Sequence, residues 1–160
     1  MPGDATTWWE LLRALDDPDH LEFPRGYDHG EARARFDLLA ESLDAAFGCR
    51  CSVDRWVQDA SHHGDITVPA DRPGGGPRIS VRVSNFGGLA VYSPENVGCH
   101  SDADKLGALS AEDRRRVEGA LSDLGYVTVP EDLLHERYDG RADLTLARPG
   151  TWFVRFFDYI

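Results

Sequence analysis

The sequence predicts an α+β fold, with an antiparallel sheet of about five or six strands and about three helices packed mainly on one face. Three observations lead there. Helix-period apolar residues fill the first 47 positions and recur after residue 110, the pattern changes to alternation over residues 51–93, and a 160-residue chain that is 41% hydrophobic can bury a core without staples. No internal repeat, low-complexity tract or linker divides the chain, so residues 1–160 are expected to form one domain.

The first helix is expected to start at Thr6 or Thr7, either of which can cap it. It runs through Trp8, Trp9, Leu11, Leu12 and Leu15 and stops at the acidic turn of Asp16, Asp17, Pro18 and Asp19. Of the adjacent tryptophans at least one ring lies near the helix flank, which makes Trp8 either a core residue or an interface anchor. Residues 20–30, HLEFPRGYDHG, read as a loop.

A second helix follows over about 31–47, with Phe36, Leu39, Ala40, Leu43 and Phe47 on one face and Gly48 as its stop. Asp37, Glu41 and Asp44 stack along its flank at intervals of four and three residues. Such a stripe is either a solvated face or a docking surface for a cationic partner. Leu38 lies beside it, away from the main apolar face, as a second buried contact or an exposed anchor.

Alternation then marks short strands at 51–57, 66–68, 79–83 and 89–92. The clearest pairing is RISVRV with GLAVYS, joined by a hairpin turn through Ser84, Asn85, Phe86, Gly87 and Gly88. DRPGGGP at residues 71–77 reads as a loop tip. No Lys and Ser or Thr follow its glycines, so it is not a phosphate loop.

A polar loop over 93–105 leads to a third helix that begins at Ser110, with Asp113 in a variant of the capping box. Val117, Ala120, Leu121 and Leu124 form its buried stripe, and Gly125 ends it. Residues 126–129 are expected to be a short strand, 130–134 a helical turn and 138–147 a loop or edge strand. The closing TWFVRFFDYI is apolar on both alternating faces, which predicts a strand covered on both sides or one that presents an aromatic face to a partner.

The charge is the compositional outlier. With 28 Asp plus Glu against 17 Lys plus Arg the net charge is -11. That field repels nucleic acid and anionic lipid and speeds encounter with a basic partner, although solubility alone also accounts for acidity. There is no long apolar run, and the opening MPGDATTWWELL lacks the regions of a secretory signal. The three cysteines form no disulfide framework, so the expected compartment is the cytoplasm.

The sequence offers residues for two chemistries, metal binding and hydrolysis. Cys49, Cys51, His62, His63, Cys99 and His100 are metal-ligand types, but CxC and CH do not match a zinc pattern, and no cofactor or metal is expected. In DASHHGDI, Ser61, His62, His63 and Asp65 are neighbours in one segment, whereas hydrolytic triads draw on separate elements. A small hydrolase using His62, His63 and Asp65 therefore stays an alternative, and the expectation is a binding protein rather than an enzyme.

The helices that come first, the meander around VSNFGGLAVYS, the aromatic close TWFVRFFDYI and the acidic balance together resemble the immunity proteins that bacteria encode beside polymorphic or contact-dependent toxins. The resemblance implies occlusion of a cognate toxin in the producer's cytoplasm, often a basic nuclease, by acidic side chains standing in for phosphates. The candidate partner-binding residues are Asp37, Glu41 and Asp44, with Asp16, Asp17, Asp19, Leu38 and Trp8. A regulatory domain that binds another protein or a small ligand is the alternative class.

Overall fold

The computed structural model describes residues 3–144 and 150–160 of the chain. The fold is α+β. Among the described residues one five-stranded sheet forms, in the order β1 (Ser52–Asp54), β2 (His62–Val68), β3 (Ile79–Ser84), β4 (Leu89–Pro94) and β5 (Val127–Thr128). The first four strands are an antiparallel meander, and Gly87 and Gly88 take positive φ (59° and 66°) in the turn between β3 and β4. β5 joins β4 in parallel. The chain must cross over to do this, and α3 (Asp102–Ala108) and α4 (Ala111–Asp123) make the crossing.

The sheet has helices on both faces, not mainly on one. Alternation along β4 decides this: Ala90 and Tyr92 join the core under α2 (His29–Phe47) and α4, while Leu89 and Val91 join the opposite core. That second core contains Trp8 and Leu12 of α1 (Ala5–Leu15), Leu134 of α5 (Glu131–Leu134) and four aromatic residues of α6 (Trp152–Phe157). Six helices are thus found among the described residues, where the sequence predicts about three.

Two helices arise where other structure is expected. The closing segment is α6, not a strand: Thr151 caps it by accepting from the Val154 N–H, and every residue from Trp152 to Phe157 is buried. A helix apolar all round carries no period to distinguish it from a two-faced strand. The expected polar loop gives way at Asp102 to α3, which Ser101 and Asp104 open with a reciprocal capping box.

At α4 the Ser110 hydroxyl accepts from Asp113 N as expected, but the Asp113 carboxylate turns to Arg72 and Arg116 instead of closing a box. α1 is capped two or three residues earlier than Thr6 or Thr7, by Asp4, which accepts from Thr7 N at 2.9 Å. Of the segment expected as a loop or edge strand, residues 145–147 lie outside the described residues.

Candidate functional site

The acidic stripe on α2 forms as the spacing predicts, but its members differ. Asp37 pairs with Arg55 Nε at 2.8 Å, Asp44 accepts from Cys51 N at 2.8 Å, and Glu41 is exposed with no partner among the described residues. With Arg50, Cys51 and Val53 they line a shallow groove between α2 and β1. Leu38 stands exposed at 50%.

The other candidates separate from this surface. Asp16 is only 2% exposed and belongs to the interior, where it receives Arg155 Nε at 2.7 Å, Tyr138 Oη at 2.6 Å and Arg141 N. Trp8 is buried in the core under α1. Neither can present itself to a partner. A buried carboxylate needs this much compensation, and nothing in an acidic DDPD turn signals which of its members turns inward. Asp17 is half-buried and accepts from Asp19 N and His20, which hold its carboxyl below the usual range, the Asp19 N–H most strongly. Asp19 is exposed.

The residues weighed for hydrolysis are not brought together. Between His62 and Gly64 the pairing of β2 with β3 slips by one residue, a β-bulge. It turns His63 toward α2, with its ring 5.0 Å from that of Phe36, while His62 faces the C-terminal residues, with its ring 5.3 Å from Tyr159. Gly64 is required beside the bulge: a Cβ there would lie 2.5 Å from the Asp54 carbonyl oxygen and 2.9 Å from Phe36. Asp65 is engaged with Arg82 through two hydrogen bonds of 2.7 and 2.9 Å. Ser61 Oγ donates to backbone carbonyls, not to a histidine. Among the described residues no group of three His, Cys, Asp or Glu could hold a metal ion, and burial pushes the Cys51 thiol pKa up, away from a ligating thiolate.

Both histidines are neutral in the fold. Burial, then Arg82, pushes His62 down to about 4, and burial, then His29, does the same to His63. His62 is 2% exposed and neither ring nitrogen has a hydrogen-bond partner among the described residues. The sign of the pH effect follows. Imidazoles of the unfolded chain protonate near 6.5 and these only near 4, so between those values the unfolded state binds more protons. Stability is full above the upper value and falls as pH drops toward the lower. His62→Phe should flatten its share of that slope, read from urea midpoints at about pH 7.5 and about pH 5. An unchanged slope would mean that His62 titrates normally.

The feature that the sequence reading missed is an aromatic cleft beside the stripe. The strand expected over residues 51–57 ends at Asp54, whose Oδ1 accepts from Trp56 N and turns the chain outward. Trp56 is left 83% exposed. It borders a cleft with Phe23, Arg33, Arg55, His63 and Asn85, and Arg55 lines both this cleft and the acidic groove. A lone tryptophan among polar residues, SVDRWVQD, was the available signal. Two residues of its lining, His63 and Asn85, are joined by Tyr27, whose Oη lies 3.0 Å from His63 Nδ1 and 3.1 Å from Asn85 Oδ1.

Comparison with known proteins returns no match: no family model, no curated protein and no solved structure is similar to this chain.

Proposed function

We propose that this protein binds and occludes a basic protein partner, in the manner of the immunity proteins that it resembles, from within the cytoplasm. One observation carries this reading: an almost fully exposed tryptophan stands beside an acidic helix flank, with Arg55 joining the two. Trp56 in a polar loop serves no core. Burying it against a partner removes a large apolar surface from water, which is how aromatic anchors give interfaces their slow dissociation.

The carboxylates play a different part. Glu41 has no partner among the described residues, and Asp37 and Asp44 are each half engaged. Together with a net charge of -11 they steer a basic surface toward Trp56 and raise the association rate. The anchor and the stripe thus predict separable effects.

Trp56→Ala should weaken binding by roughly thirtyfold, chiefly through faster dissociation. Reversing Asp37, Glu41 and Asp44 to lysine should slow association at low salt and lose its effect at high salt. Glu41→Lys alone is the clean version, since the other two hold Arg55 and Cys51 N. Calorimetry and stopped-flow mixing with the isolated partner read both, and unchanged affinity in all these variants would discard the surface.

A further inference from the structure

The cleft behind Trp56 has more order in it than an interface rim requires. Its volume is about 410 Å³, within the range of small-molecule sites. The network that joins its lining residues His63 and Asn85 to Tyr27 fixes one protonation pattern. Asn85 Nδ2 donates to the Glu22 and Ala60 carbonyls, which orients the amide and leaves Oδ1 as an acceptor. Tyr27 has a single hydroxyl proton. Given to Asn85 Oδ1, it leaves the phenol oxygen to accept from His63 Nδ1–H, and every buried group in the chain of bonds is satisfied. Given to His63 instead, it would orphan the buried Asn85 oxygen. The Nδ1–H tautomer follows, with the Nε2 lone pair free of any protein partner among the described residues.

The charges around this imidazole run against those of the whole chain. His29, Arg33 and Arg55 line the same cleft and disfavour a proton on His63, and Asp37 is the carboxylate that opposes them most. Arg33 is exposed and has no ion-pair partner among the described residues. Glu22 and Asp59 also line the cleft but are not among the charges that act most strongly on His63. The aromatic wall is supplied by Trp56 and by Phe23, which stacks on Tyr27 with ring centroids 4.9 Å apart.

We infer that this cleft is a binding site for a small aromatic anion, its ring against Trp56 and Phe23 and its carboxylate or phosphate group against Arg33 and His63. Either group brings the negative charge that Arg33 lacks. It also offsets the cations around His63 and lets the imidazole take a proton when the site is filled. The cleft shares Trp56 and Arg55 with the proposed partner surface but does not depend on it, since Glu41 lines only the acidic groove.

The test titrates the intact protein with benzoate and with uridine monophosphate, each beside its neutral counterpart, benzamide and uridine, and with inorganic phosphate. Histidine and tryptophan side-chain NMR signals report occupancy. Expected are saturable shifts of the His63 imidazole and Trp56 indole with at least one of the two aromatic anions, and which one binds assigns the carboxylate or the phosphate. The neutral counterpart and inorganic phosphate should bind roughly tenfold more weakly or worse. Arg33→Ala, an exposed and unpaired position, should cost roughly tenfold in affinity, and Glu41→Lys should cost nothing. The inference is overturned if neither anion shifts both signals at millimolar concentration, if the neutral molecules bind as well, or if Arg33→Ala binds like the parent. None of these outcomes bears on whether Glu41→Lys slows association with a basic protein.

Discussion

Replacing Arg155 by methionine should destabilise the fold by roughly 3–5 kcal/mol, the usual cost of removing one partner from a buried ion pair. Arg155 is fully buried on α6. Its Nε donates to Asp16 at 2.7 Å, and its terminal nitrogens donate to the carbonyls of Asp17, His20 and Leu21. One side chain thus holds the whole turn that follows α1, and its guanidinium lies 4.7 Å from the centroid of the Phe86 ring. Methionine keeps most of the volume but takes away the guanidinium paired with Asp16 and leaves the His20 and Leu21 carbonyls unpaired, while the Asp17 carbonyl keeps the His20 N–H. A second substitution separates packing from charge. Asp16→Leu with Arg155→Met should recover part of the loss, because no uncompensated carboxylate then remains. Urea unfolding reads both, and a single variant as stable as the parent would show that the pair is not buried.

The second large effect is expected at Trp152. Trp152→Ala should cost roughly 3–5 kcal/mol, the range for emptying a large aromatic site. The ring is 1% exposed and sits among Trp9 at 5.5 Å, Tyr138 at 4.7 Å and Phe156 at 6.0 Å between centroids. It therefore ties α1 and the 138 region to α6. Loss of near-ultraviolet circular dichroism should accompany the loss of stability, since the ring orders its aromatic neighbours. Trp152→Phe should cost clearly less. If Trp152→Ala is no worse than an exposed substitution, the second core is not packed as described.

These two residues also mark where the sequence was opaque. The α2 helix was legible because Phe36, Leu39, Leu43 and Phe47 repeat at helical spacing against a polar opposite face. The hairpin of β3 and β4 was legible because its glycines take the positive φ that the turn needs. α6 was not, since a segment buried on every side has no polar face to give its period away. Its burial follows from the second core, and that core depends on helices packing on both faces of the sheet, which local pattern does not encode.

The candidate site was legible to a similar degree. Asp37, Glu41 and Asp44 lie on one flank as their spacing requires, and Leu38 is exposed. Asp16 and Trp8 looked equivalent to their neighbours Asp17 and Trp9, and only the tertiary fold turns them inward. The separation of the histidine pair has the opposite origin. Adjacent positions on a strand point to opposite faces, and the bulge at His62 and Gly64 settles which face each takes. Trp56 went unremarked because the alternation of SVDRWV continues past the point where Asp54 ends the strand.

Trp56 and the acidic flank are proposed to hold a basic protein. The most direct measurement is co-purification from the native host at low salt, run in parallel with the parent protein, Trp56→Ala and Glu41→Lys. Expected are a stoichiometric partner of basic isoelectric point with the parent, its loss or marked depletion with Trp56→Ala, and reduced recovery with Glu41→Lys. No stoichiometric partner, an acidic one, or one retained equally by all three proteins would contradict it.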